Sequence, residues 1–239
     1  MQKNVNIPFD KLIMKKIRLL ISLAFMLLPV AVQAQSSREY IRNHIRQWGE
    51  CRNVAITKTN GDLALYGTNG YASTGLPTGL TNAIKELRND NEYIDDVQLT
   101  ERGRWLILFG NNGVQWSDIP YSLERRLREY NSNGEVITSV TFNDNNEWVI
   151  VTTEHISASS DAIQQWIKRG MDEYGNVQTA CITDDGLIVV FDGGYTFLGN
   201  IPSDLRSALS NTKLDVYRLK IAGNAWFFAD KSGSYQYNM

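Results

Sequence analysis

The chain has 239 residues, 43% of them hydrophobic, and carries a formal net charge of −2. It is therefore long and apolar enough to bury a sizeable core, either as one domain or as an array of small units. The chain holds two histidines and two cysteines, and they form no close-spaced pair. The sequence therefore predicts neither a metal site nor a cofactor.

The first 34 residues have the pattern of a secretory signal peptide. Basic residues at positions 15–18 precede an apolar stretch, Leu19–Val32, that is short for a membrane span. Small residues at positions 32 and 34 predict cleavage after Ala34, and Met14 is the more natural start of translation. Gln35 then stands where a lipoprotein would have a cysteine. We expect a secreted or periplasmic protein with no membrane attachment after cleavage; the alternative is an uncleaved N-terminal anchor.

Removal of residues 1–34 makes the remaining chain distinctly acidic. This segment holds five basic side chains and one acidic side chain, so 19 basic and 25 acidic residues remain. Such a chain is repelled by phosphate backbones unless it concentrates its cations in one patch. The densest basic run, Arg125, Arg126 and Arg128, alternates with Glu124 and Glu129, which is typical of the solvated face of a helix. We therefore expect no nucleic-acid partner.

From residue 53 onward, a unit of three strands and one helix recurs about five times. In the clearest copy, Val97–Tyr130, two strands and a glycine-containing turn lead to a short third strand, and Ile119-Pro120 precedes the helix. The units span about residues 53–94, 95–134, 135–175, 176–212 and 213–239. A fixed period of this size predicts an α+β array in which each βββα unit buries its apolar face on its neighbours.

The fifth unit has three strands but no helix of its own. Before the first unit, the segment 37–49 has apolar and aromatic residues at helical spacing, among them Ile41, Ile45 and Trp48. We expect this N-terminal helix to pack on the last three strands and complete the fifth unit. The array would then close into a pseudo-fivefold toroid without exposed sheet edges. The alternative is an open solenoid of β-hairpins and helices.

The size, number and element order of these units resemble the pentein-type propellers. The resemblance covers the chain from residue 35 to its end and implies a closed ring around a central pit. It includes no family motif, so no residue role is carried over from it.

Penteins include hydrolases and transferases with a Cys–His–acid set, which is the motive for a competing enzyme hypothesis. Cys181, His155 and an acid such as Asp192 or Glu154 are the raw material available here. The chemistry needs a thiolate within reach of its base in an accessible, electropositive place. Cys181 instead falls in the middle of an apolar strand, which favours a packed side chain. The sequence therefore predicts a protein without catalytic activity.

The two cysteines, Cys51 and Cys181, could form one disulfide in an oxidising compartment. Their spacing does not establish that they meet. The alternative for Cys181, which lies between Ala180 and Ile182, is a small buried hydrophobic side chain.

The tryptophans divide into two groups by their place in the unit. Trp105, Trp148 and Trp226 begin the second strand of their units, where other units have leucine, so they are predicted to lie in the core. Trp116 belongs to a third strand, next to a glycine turn, as do Tyr71 and Tyr195, and there an aromatic ring could serve as a binding anchor.

The loops between the second and third strands, here called the second-turn loops, are the predicted binding surface. They comprise Gly67–Gly70, Gly110–Gly113, Thr153–His155, Asp192–Gly194 and Asp230–Gly233. In a ring they would emerge on one side, and loops on a rigid scaffold commonly carry binding. The candidate binding residues are Asn69, Tyr71, Asn112, Trp116, His155 and Tyr195. We expect a non-catalytic binding or scaffold protein that recognises a protein or glycan; an inhibitor of a secreted hydrolase would use the same loops.

Overall fold

The computed structural model describes residues 37–59 and 61–239. This part of the chain forms five helices and five small antiparallel sheets of three strands each, arranged as repeated α+β units. None of these helices is both long and apolar enough to cross a membrane. The predicted signal peptide, residues 1–34, lies outside the described residues.

The elements follow the predicted order. Helix α1 spans residues 37–48. The first unit contains β1 (Asn53–Ala55), β2 (Asp62–Tyr66), β3 (Gly70–Thr74) and α2 (Thr78–Asn89), and the second contains β4 (Ile94–Leu99), β5 (Trp105–Phe109), β6 (Gly113–Ser117) and α3 (Tyr121–Ser132). The third contains β7 (Ile137–Phe142), β8 (Trp148–Thr152), β9 (Ile156–Ala158) and α4 (Asp161–Tyr174). The fourth contains β10 (Val177–Ile182), β11 (Gly186–Phe191), β12 (Gly194–Gly199) and α5 (Ser203–Asn211), and the fifth contains β13 (Arg218–Ala222), β14 (Ala225–Ala229) and β15 (Tyr235–Tyr237).

The middle strand of each sheet is the most apolar because it has a neighbour on both edges and is covered on both faces. In the second unit, for example, β5 pairs with both β4 and β6, and its first four residues are buried. Trp105 and Trp148 begin two of these strands and Trp226 is the second residue of another; each is at most 6% exposed. Their predicted place in the core is confirmed.

Proline and serine set the helix starts. Pro77, Pro120 and Pro202 each stand immediately before the first helical residue, with φ between −55° and −52° and extended ψ. Proline suits this place because the first turn of a helix leaves its N–H groups unpaired. In the third unit Ser160 takes the place of proline, and its side chain accepts a hydrogen bond from the backbone N–H of Ile163. This hydrogen bond caps the helix in place of the proline.

Each helix fills the space between two sheets. The core around α2 combines residues of sheets one and two, the core around α3 combines sheets two and three, and the cores around α4 and α5 continue the series. The core around α1 contains Ile41 and Ile45 together with residues of the first sheet, such as Val54, and of the fifth sheet, such as Phe227. Helix α1 thus packs between the first and last units of the chain.

The first strands of the units contact one another and bury a polar set. Contacts join β1 to β4, β4 to β7, β7 to β10, β10 to β13, and β13 to β1. One face of each first strand packs on the apolar cores, and the alternate residues point away from it. The buried polar residues on these strands are Asn53, Asp96, Gln98, Ser139, Thr141, Thr179, Arg218 and Lys220.

Candidate functional site

In each sheet, the first strand begins at the end of the sheet where the second strand finishes. The second-turn loops lie at this same end. Asn53 pairs with Leu65 at this end of the first sheet, and Arg218 pairs with Ala229 at the same end of the fifth sheet. We call this side of the molecule the second-turn face. Two cavities on this face together contain residues from all five units.

The larger cavity, here called the main cleft, has a volume of about 720 Å³. Its walls come from the end of β8 with the turn at 153–155, from α4, and from the start of β10. These walls combine polar side chains, among them Thr138, Gln164, Asn176 and Gln178, with apolar ones such as Met171. A cleft of this size and lining can hold a short extended segment of a ligand and hydrogen-bond its polar groups.

The second cavity, here called the arginine pocket, has a volume of about 360 Å³. Its lining includes Arg52, Tyr93, Asp95, Arg218 and Lys231. Two of its lining residues, Lys231 and Tyr217, also line the main cleft, so the two cavities are neighbours.

Cations lie against aromatic rings in the arginine pocket. The guanidinium carbon of Arg52 is 4.3 Å from the ring centre of Tyr93, and that of Arg218 is 3.8 Å from the ring centre of Tyr217. The ammonium nitrogen of Lys231 is 4.7 Å from the same Tyr217 ring. These distances are typical of cation–π contacts, which orient the charged groups without neutralising them.

His155 is the only candidate binding residue among the predicted six that lines the main cleft in the described structure. Its Nδ1 atom lies 2.9 Å from a carboxylate oxygen of Glu135, and the hydroxyl of Thr152 donates to the same oxygen at 2.8 Å. Partial desolvation acts to raise the pKa of Glu135, but hydrogen bonds from His155 and Thr152 hold it below its ordinary value. The histidine is therefore held at the cleft wall by a carboxylate that stays ionised.

The three predicted aromatic anchors pack on the helices of their own units. The Arg88 guanidinium lies over the ring of Tyr71 at 5.7 Å, and that of Arg128 lies over Trp116 at 5.1 Å. The remaining anchor, Tyr195, donates its hydroxyl to the backbone carbonyl of Arg206 in α5 at 3.0 Å. All three side chains are half-buried, and none lines the main cleft or the arginine pocket.

The two predicted binding asparagines hydrogen-bond to other residues of the repeat array. Asn112 donates to the carbonyl of Glu135 at 2.8 Å and accepts from the N–H of Ile137 at 3.0 Å, which ties its loop to the start of β7. The side chain of Asn69 lies 2.9 Å from that of Asn91, just before β4. The Asn112 side chain thus fixes the second unit to the third, and Asn69 ties its loop to the end of its own unit.

In the structure, each of the three residues of the catalytic alternative contacts residues other than its supposed catalytic partners. Cys181 is buried in the core around α5, whereas the His155 side chain is 61% exposed and contacts Glu135. The carboxylate of Asp192 accepts hydrogen bonds from Asn176 and from Gln178. Burial raises the pKa of the Cys181 thiol to about 11, despite the opposing effect of Lys220. A buried neutral thiol is a poor nucleophile.

Cys51 and Cys181 are both free and buried, so the structure does not contain the disulfide that the sequence allowed. Cys51 belongs to the core around α1, and Cys181 belongs to the core around α5. Because the two thiols lie in different cores, neither can reach the other without rearrangement.

We expect both thiols to be inert in the folded protein. Burial also raises the pKa of Cys51, to about 12, so at pH 8 about one in a thousand Cys181 thiols and about one in ten thousand Cys51 thiols would be ionised. An aromatic disulfide reagent should therefore label less than one thiol per chain in native buffer, but two thiols in 6 M guanidinium chloride. Absence of labelling under denaturing conditions would instead reveal a disulfide.

Sequence reasoning missed a buried ionic cluster between the first strands. Asp96 is 1% exposed, and its carboxylate accepts from the Lys220 ammonium at 2.7 Å, from Asn53 at 2.5 Å and from Gln98 at 2.9 Å. Burial alone would raise the pKa of Asp96, but Lys220, together with Arg218, lowers it below the ordinary value. The available signal was the presence of charges at alternate positions inside apolar first strands.

Sequence reasoning also missed the arginine pocket. The sequence does contain a signal for this pocket: Arg52, Tyr93 and Tyr217-Arg218 all fall where a first strand begins, in three different units. In the part of the chain that the structure describes, no three His, Cys, Asp or Glu side chains are grouped so as to hold a metal ion.

Comparisons with known proteins identify no family. No protein-family model matches the chain, and no curated protein matches it. Among solved structures, one titled "YCF48 bound to D1 peptide" is 12% identical, with a TM-score of 0.29. The match covers 79% of this chain and 50% of that chain, so the present chain spans about half its length. A similarity at this TM-score carries no argument about fold or function.

Proposed function

We propose that this chain is an exported, non-catalytic binding module that recognises a protein segment through its second-turn face. The observation that supports this most directly is the main cleft, whose walls come from the third, fourth and fifth units. Cavities of several hundred cubic ångströms formed by loops on a rigid scaffold are the usual place for ligands.

The lining of the main cleft favours a peptide over a neutral sugar. Side-chain amides and hydroxyls, such as those of Gln164, Asn176 and Thr138, can pair with the N–H and C=O groups of an extended backbone. A sugar-binding cleft would offer free aromatic faces for stacking. In this region the ring of Tyr217 is already in contact with Arg218 and Lys231.

We further propose that the five units close into a ring. The core shared by α1, the first sheet and the fifth sheet supports closure, as does the contact between β1 and β13. Backbone contacts support it too, because the N–H of Cys51 donates to the carbonyl of Gly233 at 2.9 Å. A closed ring would fix the distance between cleft walls that belong to different units.

The enzyme alternative receives no support from the candidate catalytic residues. Cys181 is a buried thiol with a raised pKa, and its hydrophobic neighbours include Ile188 and Leu219. An activated cysteine needs access to solvent and a lowered pKa.

The proposed function predicts that blocking the main cleft abolishes peptide binding. We would select peptides from a random phage-displayed library on residues 35–239 and measure their affinities by calorimetry. Gln178→Trp places an indole in the cleft, and we expect it to weaken the selected peptides by at least about tenfold.

The matched control is Ser132→Trp, which adds the same side chain at an exposed position on α3. It should leave the affinities unchanged. Peptides that bind both variants equally well would show that the main cleft is not the binding site and would overturn the proposal.

A further inference from the structure

We propose that the arginine pocket binds a carboxylate of the protein segment that occupies the main cleft. The proposal rests on the proposed function and adds to it the chemical class of the ligand, an acidic segment. Arg52, Arg218 and Lys231 would hold the carboxylate.

The first observation is a pair of unsatisfied donors. Arg52 is 9% exposed and Arg218 is 1% exposed, and both side chains line the same pocket. The Nε atom of each is buried without a hydrogen-bond partner among the described residues. Buried donors on charged groups are rarely left unpaired, so two of them on side chains that line one cavity leave hydrogen-bonding capacity for an acceptor.

The remaining guanidinium nitrogens are held in place by the protein. Arg52 donates to the carbonyls of Ile94 at 3.0 Å and Thr68 at 3.4 Å. Arg218 donates to the carbonyl of Tyr217 at 3.0 Å and to the carboxylate of Asp95 at 2.5 Å. Both groups are therefore fixed before any ligand arrives, which lowers the entropic cost of binding.

The charges of the pocket leave room for an anion. Three cations line it together with two acids, Asp95 and Asp230. Asp95 already accepts from Arg218 and Tyr217, and Asp230 accepts from Ser232 and Ser234 within its own turn. No ion pair of Lys231 is found in residues 37–59 and 61–239. The pocket is thus net positive on a chain that is net negative, and it favours a carboxylate.

Continuity with the main cleft favours an acidic segment of protein as the source of this carboxylate. Tyr217 and Lys231 line both cavities, so a chain lying in the cleft passes beside the pocket. An acidic side chain or a C-terminal carboxylate would then reach the guanidinium groups while the backbone stays against the amide-rich walls. Either source has the same chemistry at the pocket.

The test follows the two Nε–H groups directly. We would record the arginine Nε–Hε NMR signals of residues 35–239 and titrate them with three pentapeptides. The first, Ac-Ala-Glu-Ala-Glu-Ala-NH₂, carries acidic side chains, and the second, Ac-Ala-Gln-Ala-Gln-Ala-NH₂, is its neutral counterpart. The third is the neutral sequence with a free C-terminal carboxylate. We expect saturable downfield shifts of Arg52 and Arg218 with the first or third peptide and none with the second; which of these two acts identifies the source.

Variants separate binding at the pocket from general electrostatic attraction. Lys231→Met should weaken the acidic peptide by about tenfold, whereas Lys213→Met, at an exposed position that lines neither cavity, should not. Within residues 37–59 and 61–239, neither lysine side chain makes a hydrogen bond, so neither substitution removes one from the fold.

Three results would contradict the proposal in whole or in part. If the neutral peptide binds in the main cleft while no peptide shifts the Arg52 or Arg218 signals, the proposed function stands and the carboxylate site is wrong. If inorganic phosphate shifts these signals at lower concentration than either carboxylate peptide, the pocket is a phosphate site and not a carboxylate site. If the shifts persist unchanged in Gln178→Trp, the carboxylate site in the arginine pocket stands, but its link to the main cleft is wrong.

Discussion

Replacing Asp96 with asparagine should destabilise the protein by about 3–5 kcal/mol, because it leaves the buried Lys220 ammonium without its counter-ion. The two groups are 2.7 Å apart, and their side chains are 1% and 7% exposed. Asparagine is close to aspartate in shape, so the loss would report charge and not volume. Urea unfolding of Asp96→Asn at pH 7, followed by circular dichroism, measures it.

A double replacement provides the control for this prediction. In Asp96→Leu with Lys220→Met, both charges are gone, and we expect the double variant to be more stable than either single variant. Additive losses would show that the two side chains do not act as a pair and would contradict the interpretation.

The same pair predicts how the effect changes with pH. The folded-state pKa of Asp96 lies below the ordinary value of 3.8, so the unfolded chain takes up a proton first as the pH falls. The stabilisation from this carboxylate is therefore complete well above pH 3.8 and is lost as the pH falls through the lower folded-state value. The difference in unfolding free energy between the wild type and Asp96→Asn should accordingly shrink in acid.

The fold was predictable where each unit repeats a local signal. In the third unit, for example, the predicted order of strands and helix is found, because the apolar strands, the asparagine-rich turn and the Ser160 cap all agree. The first unit is less regular, because its first strand, Asn53–Ala55, has only three residues.

The candidate site was predictable only as a location. The second-turn loops do border the two cavities, through residues such as His155 and Lys231. The individual anchors were not predictable, because whether Trp116 faces a ligand or its own helix depends on where Arg128 lies. Likewise, Arg52 and Arg218 are far apart in sequence and meet only through the packing of the first and fifth units. Single-sequence patterns carry no information on such pairings.

Replacing Phe227 with alanine should destabilise the protein by about 3–5 kcal/mol, because it empties the core where the first and last units meet. Phe227 is fully buried beside Ile41 and Ile45 of α1, and its ring lies 6.2 Å from that of Tyr235. Tyr121→Ala is the matched control, since Tyr121 is 79% exposed at the start of α3 and its removal should cost little. Chemical denaturation of both variants gives the two free energies.

Amide hydrogen exchange in Phe227→Ala then distinguishes a ring from an open array. In an open solenoid each unit depends on its neighbours alone, so loss of Phe227 would loosen only α1 and the fifth unit. The amides of the β7–β8 pair around Val140 would then stay protected from exchange as before. In a closed ring α1 joins the first unit to the fifth, and no unit is terminal. The same substitution should then lower protection in β7 and β8 by as much as it lowers global stability. We expect the lowered protection in β7 and β8, because the core around α1 holds residues from both ends of the repeat array.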